Sequence, residues 1–209
     1  MYHYSKHILH PWHGVEVGDE APELVTVFIE IVPTDTVKYE VDKKSGLLKV
    51  DRPQLFSNIV PALYGFIPQT LCDIEVGEYC MQKTGRRGII GDQDPMDILV
   101  LSEKGFPNSG FLLQAIPIGG FRMIDREEAD DKIIAVMQGD AIYGGYRNLN
   151  DIGESVLNRL KHYFLTYKDM PGSAEKRKVE ISSVYDRDEA LEVITKSMND
   201  YKNRFGNAQ

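Results

Sequence analysis

The sequence predicts a mainly β fold, a closed antiparallel barrel of five strands with two main α-helices flanking it. Three observations predict it. Short β-branched runs follow one another through the first two thirds of the chain without intervening helices, which disfavours βαβ units. Helical periodicity is confined to the last third. The 209 residues, 42% of them hydrophobic, suit one domain, 1–209, whose core needs neither disulfides nor a structural metal.

In chain order, LVTVFIEIV (Leu24 to Val32) is rich in β-branched residues and is stopped by Pro33, the pattern of a buried strand. VKYEVDKKSGLLKVDR is two alternating runs around a Gly-containing loop at Asp42 to Gly46, a hairpin signal. DILVLS (Asp97 to Ser102), FLLQAIPIG (Phe111 to Gly119), GFRMID (Gly120 to Asp125) and DKIIAVM (Asp131 to Met137) supply the further strands. From Asn150 to Lys168, Ile152, Val156, Leu160 and Phe164 recur every four residues and make one helical face, ended by Met170-Pro171-Gly172. A second helix runs from about Asp186 to Phe205 on a stripe of Leu191, Ile194, Met198, Tyr201 and Phe205 that packs on the barrel. Residues 73–91, DIEVGEYCMQKTGRRGIIG, are polar and glycine-containing and read as a hairpin insertion on the surface, with a lid or an oligomer contact as alternatives. The chain shows no internal repeat, low-complexity segment or linker.

With 32 acidic side chains against 24 basic ones, the net charge of −8 and pI near 5.2 argue against a general nucleic-acid or membrane-surface binder. No run approaches the roughly 18 apolar residues of a membrane span, and MYHYSKHILHPWHG lacks the apolar core of a signal peptide. The two cysteines, Cys72 and Cys80, are expected as reduced thiols in a cytoplasmic protein.

The segment GDQDPMDILVLSE crowds Asp92, Asp94 and Asp97 at the mouth of an expected strand. Carboxylates this close repel one another unless a cation or water separates them, and oxygen-only ligands suit hard divalent ions, Mg²⁺ above all. A second run, IDREEADDKIIAV, puts Asp125, Asp130 and Asp131 between two strands, so two acidic turns can face one cleft. The plainer reading is a pair of solvated acidic turns. A calcium-binding helix-loop-helix fits Asp92, Asp94 and Glu103 at its first, third and twelfth places but fails at the sixth, which must be Gly and is Asp97. His3, His7, His10 and His13 match no zinc spacing and read as structural or incidental.

DQDPMD followed by ILVL resembles the signature of the family I soluble inorganic pyrophosphatases. FIEI, VKYEVDKKSGLLKVDR, YGFIPQTL, the spaced acids of IDREEADDK and FLTYKDM resemble further blocks of that family in the same order, and HPWHG resembles its plant-type members. The resemblance implies an OB-like barrel and metal-dependent hydrolysis of inorganic pyrophosphate to two phosphates by a metal-activated water. It implies Asp92, Asp97, Asp125 and Asp130 as metal ligands, with Glu30 and Glu40 holding further metal or its waters. Asp94 would be the base beside the attacking water. Lys38, Arg52, Lys132, Tyr167 and Lys168 would bind the phosphates, and Tyr64 would hydrogen-bond within the site. Seven carboxylates against four of these cations, with an anionic substrate, need roughly three to four divalent ions, taken as Mg²⁺, for neutrality. The implied partners are pyrophosphate and phosphate, with no nucleic acid or membrane; the family includes monomers, dimers and hexamers, so a homo-oligomer is one expected assembly.

Without the resemblance, Tyr64 and Tyr167 read as half-buried packing residues. VPALYG departs from the family's YPxNYG, so Val60 and Leu63 remove a phenol and an amide near the cleft. Arg126 stands where several bacterial members carry an acid, and Asp130 is preferred to Asp131 by alignment with Lys132. Two other functions stay open: a hydrolase of another phosphoanhydride or phosphate ester on the same metals, and a non-catalytic OB-like oligonucleotide-binding barrel. The latter needs basic and aromatic side chains where this chain has acids.

Overall fold

β-branched runs become strands here because both of their faces find apolar cover. The computed structural model describes residues 9–54, 56–168 and 179–206. Along it lie β1 (Val25–Ile31), β2 (Val37–Val41), β3 (Leu48–Pro53), β4 (Leu63–Phe66), α1 (Ile74–Thr84), β5 (Ile90–Gly91), β6 (Asp97–Leu101), β7 (Phe111–Asp125), β8 (Glu128–Ala129) and β9 (Lys132–Met137). A 3₁₀ turn (Leu149–Ile152), α2 (Glu154–Thr166), β10 (Val179–Asp186) and α3 (Arg187–Phe205) follow.

β1 pairs with β4, β4 with β6, β6 with β9, β9 with β7, and β7 again with β1, so five strands close into a ring. The ring closes because β7 bends. Phe111 to Ala115 pair with β1, Ala115 to Phe121 with β9, and Gly119 to Asp125 with β10. The register shifts between Pro117 and Gly119, and a Cβ on Gly119 would run into the Leu149 side chain, the bulge-and-glycine device that turns a strand at a barrel corner. FLLQAIPIG and GFRMID, expected as two strands, are therefore one strand of 15 residues. The pairing of β6 with β9 is parallel, which corrects the all-antiparallel expectation. Apolar runs carry no sign of direction.

Alternate residues of the ring strands feed two cores. From β6, Ile98 and Val100 pack with Val76 and Cys80 of α1 and Val193 and Ile194 of α3, while Leu99 and Leu101 pack with Leu160 and Phe164 of α2. Each such side chain, fully buried, stabilises the fold by roughly 1.5–3 kcal/mol, which is what fixes the helices to the ring. Gly65 lets β4 approach β1, since a Cβ there would lie 1.8 Å from the Phe28 carbonyl oxygen.

Residues 73–91 are not a hairpin insertion. They form α1 and the short β5, with Val76, Tyr79 and Cys80 buried, so among the described residues three α-helices flank the ring where two main ones were expected. The Asp200 carboxylate on α3 accepts from the backbone amides of Asp73, Glu75 and Val76 at 3.0, 3.0 and 3.1 Å and caps α1. β4 and β10 carried no strand expectation, β4 being four residues long and β10 broken by two serines. α2 starts at Glu154 and not Asn150, because Gly153 at φ 75 separates it from the 3₁₀ turn. α3 starts where expected, on Asp186, but its most buried residues are Ala190, Val193, Ile194, Ser197 and Asp200, and of the expected stripe only Ile194 is among them. Cys72 and Cys80 are free and buried. His3, His7 and the Met170-Pro171-Gly172 stop lie outside the described residues.

Candidate active site

Acids reach one end of the ring from four segments. β1 contributes Glu30; the β2–β3 hairpin contributes Lys38 and Glu40; the entry to β6 contributes Asp92, Asp94 and Asp97; the passage from β7 to β9 contributes Asp125, Asp130 and Lys132. Tyr64 of β4 joins them, with Tyr167 and Lys168 just after α2. All twelve line one cleft of about 220 Å³. Arg52 does not line it: its guanidinium pairs with Asp51 at 2.7 Å, and Asp51 also holds Lys38 at 3.0 Å. Arg126 is exposed in a turn at φ 63. Asp131 faces away from the cleft and pairs with buried Arg122 at 3.0 Å, as alternation at a strand entry requires.

Local geometry sets the acids. The loop Asp92–Asp94 is pinned to Cys72, whose amide donates to the Asp94 carbonyl at 2.8 Å and whose carbonyl accepts from Gln93 at 3.0 Å. Gln93 turns the loop at φ 64, and the Asp94 amide donates to Asp92 Oδ1 at 3.0 Å. The parallel register puts Asp97 opposite Lys132, so the Lys132 ammonium reaches both Asp97 and Asp130. The Tyr64 hydroxyl donates to Asp97 Oδ2 at 2.6 Å, and Lys168 donates to Asp125 at 2.7 Å.

Burial drives the charge states. It pushes the Glu30 carboxyl up to about 8, although the Val41 amide donates to Oε1 at 2.6 Å. Burial and then the Asp130 charge push Asp92 well above the carboxylate range, and burial raises Asp130 despite Lys132. For Lys132 burial opposes the charge, yet Asp130 and Asp97 outweigh it and hold the ammonium well above the usual lysine range. The Tyr64 phenol, raised by burial and then by Asp97, stays a donor.

Among the described residues no three His, Cys, Asp or Glu side chains are gathered tightly enough to chelate an ion unaided. The cleft acids are nonetheless all oxygen donors, and those that burial drives toward neutrality gain most from a cation, so the residues fit a hard divalent ion. Sequence reasoning missed Trp12, Lys43 and Glu128, which also line the cleft. Lys43 sits in a turn, where no periodicity tells it from Lys44, and Trp12 lies in a short segment, HPWHG, that carries no strand or helix pattern. His13 stacks between Trp12 and Tyr201 with ring centroids 4.4 and 5.7 Å away. Among the described residues no helix is long and apolar enough to cross a membrane.

A cleft of carboxylates interleaved with lysines and tyrosines, at the end of a five-strand ring, is the equipment of a phosphoryl-transfer enzyme. The sequence profile of the inorganic pyrophosphatases matches residues 27–202. An inorganic pyrophosphatase of Chlamydia muridarum is 50% identical over 201 residues, covering 95% of this chain and 96% of the relative. The maize soluble inorganic pyrophosphatase is 38% identical over 92% of this chain and 79% of its own. The crystal structure of the Thermus thermophilus inorganic pyrophosphatase superposes with a TM-score of 0.77 at 30% identity, covering 93% of this chain and 99% of the other. The chain belongs to the inorganic pyrophosphatase family and is a hydrolase.

Proposed function

We propose that the cleft hydrolyses inorganic pyrophosphate to two phosphates by direct attack of a water, with Mg²⁺ as the cofactor. The observation that carries this reading is the convergence of seven carboxylates, three lysines and two tyrosines of the expected site on one cleft of about 220 Å³. Asp92, Asp97, Asp125 and Asp130 would hold the ions, with Glu30 and Glu40 taking further ions or their waters. Roughly three to four ions would be present with substrate. When bound, divalent cations supply positive charge to the phosphate oxygens and make water more acidic.

Asp94, whose side chain is half exposed on the cleft wall, takes the proton of the attacking water. Lys38, Lys132 and Lys168 bind phosphate oxygens, and Tyr167 adds a hydroxyl. Arg52 takes the same role from the rim, after exchanging Asp51 for phosphate. Tyr64 keeps Asp97 oriented through its hydrogen bond of 2.6 Å. The bond to the bridging oxygen breaks, the electron pair stays with the leaving phosphate, and the lysines stabilise that charge. The chain works as one domain, 1–209, in the cytoplasm on pyrophosphate and phosphate, without nucleic acid or membrane; its charge of −8 and the maize relative's description as soluble support this.

Two substitutions test the roles. Asp94→Asn keeps the shape and loses the base, so turnover falls by roughly 10²–10⁴ with metal affinity little changed. Asp97→Asn removes charge from an ion ligand, so raising Mg²⁺ restores part of its activity and almost none of that of Asp94→Asn. Metal titrations of both variants at several pH values check this. Rescue of Asp94→Asn alone by Mg²⁺ would require the two roles to be exchanged.

A further inference from the structure

We propose that Lys43 is an additional substrate-binding residue, whose ammonium group leaves Asp94 when pyrophosphate enters and takes a phosphate oxygen instead. The proposal rests on the reading that the cleft lysines bind phosphate. Each of those lysines is held by carboxylates: Lys38 by Glu40 and Asp51, Lys132 by Asp97 and Asp130, Lys168 by Asp125. Lys43 follows the same pattern, lining the cleft with its ammonium on Asp94. It differs in reaching in from the β2–β3 turn and in holding Asp94.

The turn is built to aim this side chain. Asp42 Oδ2 accepts from the Ser45 amide at 2.9 Å and the Ser45 hydroxyl at 2.8 Å, and Gly46 closes the turn at φ 71. The His10 ring lies against it, so that a Cβ on Gly46 would come within 3.0 Å of the imidazole. The Trp12 amide donates to His10 Nδ1 at 3.2 Å, which leaves the proton on Nε2, and Nε2 donates to the Lys43 carbonyl at 3.2 Å. The Trp12 indole, itself anchored to the Thr70 carbonyl at 2.8 Å, lies 6.0 Å from the Lys43 ammonium. The backbone of Lys43 is thus clamped while its side chain is 48% exposed, so the ammonium swings without unpacking anything. A phosphate oxygen of a highly charged anion attracts it more strongly than one carboxylate does. Lys44, its neighbour, is exposed and does not line the cleft.

The test combines steady-state kinetics at saturating Mg²⁺ with titration of inorganic phosphate, followed through the fluorescence of Trp12, the chain's one tryptophan. Lys43→Met should raise KM for pyrophosphate roughly tenfold with kcat within about threefold, and Lys43→Arg should recover most of the loss. Phosphate binding should weaken by a similar factor in Lys43→Met and hold in Lys44→Met. A fall in kcat at unchanged KM would place Lys43 on Asp94 and not on substrate, and overturn the proposal. Equal effects of Lys44→Met would reduce it to general charge, and no effect of Lys43→Met on either readout would end it. Lys168→Met separates the two levels. If it is impaired and Lys43→Met is not, only the Lys43 assignment fails; if it too is unaltered, the reading of the cleft lysines fails with it.

Discussion

Glu30 shows how one side chain can be built for a cation. Every residue of β1 is buried, and among the described residues a single backbone amide, that of Val41, serves its carboxyl group. Burial lifts its pKa from the ordinary 4.5 to about 8, so between those values the folded chain keeps a proton that the unfolded chain has lost. Stability from this group therefore falls as pH rises across that window. A bound cation takes the proton's place and reverses the loss. Mg²⁺ should accordingly raise the thermal midpoint more near pH 8 than near pH 6, and should release protons on binding, read by calorimetry in buffers of different ionisation heat. Glu30→Gln should reduce that pH dependence, leaving the share carried by Asp92 and Asp130. An equal midpoint shift at both pH values in the native chain would sink this account.

At the level of elements, α1 is held by a side chain from another helix. Its own N-cap position, Asp73, makes no side-chain capping bond, and Asp200 of α3 satisfies the first amides in its place. Asp200→Ala should destabilise the fold by about 1–3 kcal/mol, the range for losing a cap and leaving partly buried amides unpaired. Because Cys72, one residue before Asp73, pins the Asp92–Asp94 loop through both backbone groups, Mg²⁺ affinity should also fall. Denaturant unfolding measures the first effect and a Mg²⁺ titration the second. Unchanged amide exchange at Asp73, Glu75 and Val76 would show that the cap does not hold α1.

Across the whole molecule, Arg122 ties the outer elements to the ring. It is fully buried on β7, pairs with Asp131 at 3.0 Å and Glu189 of α3 at 3.1 Å, and lies between the rings of Tyr79 of α1 and Tyr185 of β10 at 5.0 and 5.1 Å. Arg122→Met leaves the Asp131 carboxyl buried without its partner and should destabilise by roughly 3–5 kcal/mol. Replacing both, as Arg122→Met with Asp131→Leu, should recover a large part, since an apolar pair of similar volume needs no solvation. A double-mutant cycle by chemical denaturation decides it; additive losses would mean that the two groups are not coupled.

The sequence by itself made four of the ring's five strands and most of the cleft legible, β4 being too short to show. Consecutive apolar residues in DILVL and KIIAV need cover on both faces, and the acids at the ends of those runs fall together once the strands pair. Tertiary structure alone decided the rest. The parallel register of β6 on β9 places Lys132 between Asp97 and Asp130, and direction is not written in an apolar run. Helix α1 was hidden because its buried face is the mixed set Val76, Gly77, Tyr79 and Cys80 and its cap comes from Asp200, far away in the chain. The choice of Lys43 over Lys44 depends on His10 and Trp12 fixing one turn, a contact between segments that local spacing cannot express.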